Sequence, residues 1–315
     1  MRLLLFNPET EYALASGASF YTPPKQVMKL RKDLQLLPEA WARPGDWILV
    51  DDKYGLNSEF DLVSWDMLSD LFSMNPDTVV EPWGWNHALI RKLKDCGVPD
   101  TSLPDDKKMD RIRKLAHRKT TVALNMSWNK LVRSDRVVDV PVELNTIEEC
   151  MRFVAENPGC WMKAPWSSSG RGVINTAADM TEELVEQWCR GILRRQGSVM
   201  GETGADRIAD FATEWIMVGG EARYLGLSSF STSNRGKYIS NDSISQDAMA
   251  KRFDALSMIP VEEVRTIQKI ILQNILSGYD GPCGVDMLIE RGGHLRPFVE
   301  LNLRRTMGML NLRFT

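Results

Sequence analysis

The chain predicts an α/β fold, with a parallel sheet in its first hundred residues and mixed α+β units beyond, and three observations carry that prediction. Short apolar runs at Leu3–Phe6, Ile48–Val50 and Thr78–Val80 alternate with amphipathic stretches, the pattern of strands joined through helices. Two later segments, Phe211 to Leu227 and Gly284 to Asn302, read as hairpins turning at Gly219-Gly220 and at Arg291-Gly292-Gly293. Between and beside them, Thr181 to Arg195 and Pro260 to Gly278 carry apolar residues at helical spacing. A length of 315 residues suits several packed units rather than one core.

Composition narrows the function. There are 39 basic and 42 acidic residues, a formal charge of -3, so nothing in the balance favours a general binder of nucleic acid or of membrane surfaces. Leu3 to Phe6 is too short for a secretory apolar region, and no run approaches the ~18 residues of a membrane span, so a cytoplasmic protein is expected. The 5 cysteines include no CxxC pair, which argues against a disulfide framework and against structural zinc. His87, His117 and His294 stand apart from one another without metal-ligand spacing and read as surface or packing residues.

The helix from His87 to Cys96 places Ala88, Leu89 and Leu93 on one face before Gly97 ends it. Ahead of it, Trp83 and Trp85 in Pro82-Trp83-Gly84-Trp85 read as packing, with a ligand-facing aromatic loop as the alternative. The absence of GxGxxG leaves a dinucleotide oxidoreductase unsupported. Leu103-Pro104-Asp105-Asp106 reads as a linker and helix start, followed by Lys107 to Lys119 with Met109, Ile112, Leu115 and Ala116 at helical spacing. Most of that basic run is a solvated face. Its end, Arg118-Lys119, is positioned to deliver an ammonium to a phosphate. A further helix opens at Thr146 with Glu149 three residues on, a capping box, and carries Ile147, Met151 and Val154 on one side.

The most informative stretch follows. Cys160 to Lys163 is a short strand that delivers one lysine, Pro165 stops it, and Ser167-Ser168-Ser169-Gly170-Arg171-Gly172 is a loop small enough for backbone N–H groups to approach an anion. A flexible hairpin is the alternative, and a Walker A loop is excluded because no GxxxxGK[ST] leads into a helix. The next helix is read with Leu184, Trp188 and Ile192 on one face. In the hairpin that follows, Glu214 and Glu221 flank the turn. The helix from Pro260 shows Val261, Val264, Ile267, Ile271 and Ile275 on one stripe. In the last hairpin Asp286, Glu300 and Asn302 fall on one strand face, an all-oxygen set suited to a hard cation such as Mg2+ that also holds phosphates.

A strand lysine before a small-residue loop, a Glu-bounded hairpin, and a late Asp followed by Glu-x-Asn together resemble the ATP-grasp superfamily of carboxylate-amine ligases and carboxylases. The resemblance covers roughly residues 105–305. It implies an ATP-grasp fold with an N-terminal Rossmann-like domain at 1–104, a small lobe with the phosphate loop at 105–212, and a C-terminal lobe with the metal site at 213–315. It implies ATP and Mg2+, two ions, as cofactors, and small-molecule or peptide carboxylates and amines as substrates.

Residue by residue, the resemblance makes Lys163 a phosphate lysine, and Ser167, Ser168, Ser169, Gly170 and Gly172 the loop over the β- and γ-phosphates. Lys119 becomes the earlier phosphate lysine, with Lys130 as the other candidate. Glu214, Trp215, Ile216 and Met217 become the strand whose backbone reads adenine, and Glu221 the ribose acid. Asp286, Glu300 and Asn302 become metal ligands, and Arg304 a catalytic arginine beside Lys163. The implied reaction activates a carboxylate as an acyl phosphate for attack by an amine. The competing function is a nucleotide-binding regulatory or scaffold protein that keeps the pocket without turnover. Arg223, Arg235, Lys237, Tyr238 and the Trp83–Trp85 tract are candidates for an acceptor site.

Overall fold

The computed structural model describes residues 1–167, 172–177, 180–232 and 238–312, and the chain divides into two compact units, Met1–Lys114 and Leu115–Thr315. Ser168, Ser169, Gly170, Arg235 and Lys237 lie outside the described residues. No helix among the described residues is long and apolar enough to cross a membrane.

The first unit runs β1 (Arg2–Leu5), α1 (Thr10–Ser16), α2 (Lys25–Asp33), β2 (Trp47–Val50), β3 (Asp61–Ser64), α3 (Leu68–Met74), β4 (Val79–Pro82), α4 (His87–Asp95) and α5 (Asp106–Leu115), whose last residue crosses the boundary. The strands form a parallel sheet in the order β3-β2-β1-β4. Leu3, Leu4 and Leu5 in β1 and Ile48, Leu49 and Val50 in β2 are all buried, as continuous apolar strands must be when helices cover both faces. Leu68, Leu71, Phe72, Leu89 and Leu93 supply the helical side of that core. Trp83 packs into the same unit, edge-on to Phe6 with ring centroids 5.1 Å apart.

The second unit opens with α6 (Thr120–Leu131). A small antiparallel sheet follows, built from β5 (Val142–Leu144), β6 (Trp161–Lys163), β7 (Val173–Asn175) and β8 (Val199–Glu202) in the order β5-β8-β6-β7, with α7 (Ile147–Glu156) and α8 (Glu182–Gln196) beside it. The Thr146–Glu149 capping box forms as expected, both reciprocal hydrogen bonds being present. The predicted face of α8 is corrected: Val185, Cys189 and Ile192 are buried, whereas Leu184 is 50% exposed. Cys189 packs with Cys150 and Cys160 in a core that accepts Val185 in preference to the larger leucine.

The rest is a larger antiparallel sheet of β9 (Arg207–Val218), β10 (Glu221–Thr232), β11 (Tyr238–Asn241), β12 (Gly281–Glu290) and β13 (Leu295–Asn302), ordered β11-β10-β9-β12-β13. The helices α9 (Gln246–Leu256), α10 (Val261–Ile275) and α11 (Met307–Asn311) complete it. Alternation gives this sheet two unlike faces. Phe211, Trp215, Val285 and Met287 are buried on the rear, where α10 packs. At its centre Gln268 accepts from Thr213 Oγ1 at 2.8 Å and donates to Pro297 O at 2.9 Å, so its buried amide is satisfied at both ends.

Candidate functional site

The front face of the larger sheet carries the chemistry. Asp286 on β12 lies directly opposite Glu300 on β13 and, on its other side, opposite Ala212 on β9, while Gly284 lies between Asn302 and Glu214. The period of two therefore brings Asp210, Glu214, Asp286, Glu300 and Asn302 to one surface. Crowding of like charge has a cost: burial first, then the charges of Glu300, Glu214 and Asp210, push the Asp286 carboxyl well above the usual carboxylate range. Asn302 opposes this by donating to Asp286 Oδ2 at 3.3 Å.

Arg118 answers the charge from the other side. Its guanidinium is 7% exposed and donates to Glu300 Oε1 at 2.6 Å, to the Ala164 carbonyl at 2.8 Å and to Ser167 Oγ at 2.5 Å. Its own N–H donates to Pro165 O at 3.0 Å. One side chain thus ties the residue that opens the small-residue loop to the carboxylate pair. At the far end Arg304 donates to Asn302 Oδ1 at 3.0 Å and to Arg305 O at 2.9 Å, and burial lowers its pKa to about 10, which leaves it a cation at neutral pH. A continuous polar line runs Ser167, Arg118, Glu300, Asp286, Asn302, Arg304.

Lys163 sits one residue from the Ala164 anchor. Its ammonium donates to Glu202 Oε2 at 2.5 Å, with both side chains nearly buried. Gly172 closes the base of the loop, its carbonyl accepting from Ala164 N at 2.7 Å. With φ +78, and with a Cβ there only 2.9 Å from that of Ser167, the position admits glycine alone without strain.

The structure separates several expected residues from this group. Lys119 is half exposed with its ammonium 3.8 Å from Glu143, and Lys130 is exposed on α6; of the adjacent pair Arg118-Lys119, it is Arg118 that turns toward Ser167 and Glu300. Glu214 to Met217 lie on β9, the central strand, in register with β10 on one side and β12 on the other, so their main-chain groups serve two ladders and are not left for a base. The Glu214 side chain is fully buried, accepts from Thr306 at 2.8 Å and Ser228 at 3.0 Å, and burial pushes its pKa up to about 7. Glu221 lies at the hairpin turn, opposite Val218, with its side chain 67% exposed. Asp286 is in register with Ala212, which puts Glu221 ~20 Å along the strand from the carboxylate pair at ~3.3 Å per residue. His117 is a packing residue, buried edge-on against Trp166.

Among the described residues no group of three or more His, Cys, Asp or Glu side chains forms a complete metal cage. Two carboxylates and an amide oxygen are a partial set. They fit a hard cation whose remaining ligands come from phosphate and water, the coordination Mg2+ prefers.

No protein-family model matches the chain, and no curated protein sequence matches it. Solved structures do. A biotin carboxylase from Campylobacter jejuni, solved as a beta-gamma-ATP complex, superposes with a TM-score of 0.59 at 13% identity, over 99% of this chain and 70% of that one. D-alanyl-alanine synthetase A from Vibrio cholerae gives 0.52 at 12% identity over 100% of this chain and 92% of that one. Pyruvate carboxylase from Rhizobium etli gives 0.56 at 14% identity, this chain spanning 27% of it. The chain has the ATP-grasp fold.

Proposed function

We propose that the chain is an ATP- and Mg2+-dependent ligase that activates a carboxylate as an acyl phosphate for attack by an amine or another nucleophile. The observation that carries the reading is the line from Ser167 through Arg118 to Glu300 and Asp286, which sets a guanidinium beside an all-oxygen pair and ties both to Ser167. When bound, ATP supplies the γ-phosphoryl group and Mg2+ neutralises its charge, so that a carboxylate becomes an acyl phosphate with release of ADP.

The chain's own residues would do the positioning. Asp286, Glu300 and the amide oxygen of Asn302 hold up to two ions against the triphosphate. Lys163 and Arg118 supply fixed positive charge to phosphate oxygens, and Ser167 and Gly172 flank the segment of small residues proposed to bind them. Arg304, already held to Asn302, steadies the acyl phosphate. Such a reaction needs geometry and charge more than a covalent nucleophile, which fits a site without cysteine or catalytic histidine. Glu214 to Met217 and Glu221 take no part in this assignment, for the reasons of register and distance given above.

Incubation with ATP, Mg2+ and pools of carboxylates and amines, followed for ADP, tests the reading. ADP release that requires both a carboxylate and Mg2+, and stops with a chelator, is expected. Tight ATP binding with no ADP from any pool would instead support the regulatory protein without turnover.

A further inference from the structure

The parallel sheet of the first unit has a topological switch point. From β1 the chain goes to β2 and β3 on one side and then to β4 on the other, so the loops after β1 and β4 part and leave a crevice at the carboxyl ends of the strands. A small cleft, partly open to solvent, lies there, and Glu9, Arg31, Asp51, Trp65, Asn86 and Lys92 are among its walls.

Two of these side chains are buried with an atom left over. Asn86 is 1% exposed and caps α4, its Oδ1 accepting from Leu89 N at 2.8 Å, while its Nδ2 has no hydrogen-bond partner. Glu9 is 9% exposed; its Oε1 accepts from Arg31 at 3.2 Å, while its Oε2 has no partner. An unmet buried donor and an unmet buried acceptor in one cleft each carry a desolvation cost that a ligand offering both partners removes.

The charges complement those atoms. Arg31 is already engaged by both acids, Glu9 and Asp51, each at 3.2 Å. Lys92 makes no ion pair among the described residues and instead lies 3.5 Å over the Trp65 ring. Burial, and then the nearby Arg31 charge, hold the Lys92 pKa below its ordinary value, against the more weakly opposing charges of Asp51 and Glu9. The first turn of α4 adds its dipole to the same side.

We propose that this crevice is a ligand site for a small zwitterion of the amino-acid class, its carboxylate held by Lys92, Asn86 Nδ2 and the start of α4, and its ammonium by Glu9 Oε2. The assignment stands on the first unit alone and goes beyond the ligase reading, so it is tested without ATP or Mg2+.

Calorimetry on the full chain would be run with the twenty proteinogenic L-amino acids, with the matching carboxylates that lack the amine, and with the matching amines that lack the carboxylate. At least one amino acid should bind saturably, and each half-molecule at least 10-fold more weakly. Lys92→Met, which keeps the packing on Trp65, and Glu9→Gln should each weaken binding at least 10-fold in proteins that melt like the parent, whereas Glu300→Gln should leave it unchanged. No binding by any amino acid would overturn the site, as would equal binding of a half-molecule. Binding lost in Glu300→Gln but kept in Lys92→Met would also overturn it, by placing the ligand in the second unit.

Discussion

Glu214 and the Asp286–Glu300 pair share one sheet face, a single register step apart, yet they are built for opposite ends. Around Glu214 both carboxyl oxygens accept hydroxyl hydrogen bonds, from Thr306 and Ser228. The helix α11 is packed so close that a Cβ on Gly308 would lie 2.0 Å from Glu214 Oε1, so only glycine fits there. Asp286 and Glu300 face each other instead, with an arginine on one and an amide on the other, and no complete shell. The same residue type at neighbouring positions is thus a sealed structural group in one place and an open ligand in the other. What separates them is whether the fold itself supplies the partners.

The sharpest test of that contrast is Glu300→Gln. If Glu300 is an open ligand, removing its charge should lower ADP formation on the order of 10²-fold or more, several kcal/mol of transition-state stabilisation. Nucleotide affinity should change little, and the melting temperature should fall because Arg118 loses its buried counter-charge. Turnover at the parent rate at matched Mg2+ would remove the metal role.

The converse substitution acts on folding. Glu214→Ala leaves Thr306 and Ser228 without their acceptor and opens a void, and it should cost ~3 kcal/mol in urea unfolding. The pH dependence sharpens this. The folded-state pKa of Glu214, about 7, lies above the 4.5 of an unperturbed glutamate, so the native state binds the proton more tightly. That stabilisation is fully present below pH 4.5 and is lost as pH rises to about 7. Glu214→Gln should flatten part of this decline, Asp286 being shifted in the same direction and retaining the rest. An unchanged profile would show that Glu214 does not titrate in this window.

The smallest effect is expected at Lys163. Lys163→Ala removes one positive charge and leaves Glu202 unpaired, so ATP affinity should fall ~10-fold, or ~1.4 kcal/mol. Unchanged affinity by calorimetry in a protein with native melting would exclude Lys163 from the phosphates.

Much of this was legible in the sequence because it is local. The capping box at Thr146, the strand that delivers Lys163, and the placing of Asp286, Glu300 and Asn302 on one face follow from spacing and from the period of two. What was not legible depends on partners distant in sequence. Arg118 and Lys119 are adjacent cations, and which one turns inward is decided by distant partners, the Ala164 carbonyl, Ser167 and Glu300. Glu214 to Met217 look like any strand, and nothing in them reveals that β12 will cover the flank opposite β10. On α8, Ile192 is buried as expected, whereas Val185 and Cys189 take the buried places expected of their neighbours Leu184 and Trp188, because the adjacent positions are all apolar and the cysteine core makes the choice.

The two-faced character of β9 also limits how this protein can change its length. Inserting or deleting one residue near the middle of the strand would turn every later side chain to the opposite face, carrying an acid such as Glu214 into the apolar rear and Trp215 out to the polar front. Neither can be absorbed locally, because β10 and β12 both hold the strand in register. Length variation in this half of the molecule is therefore confined to turns such as Gly219-Gly220, where no side chain must keep its face.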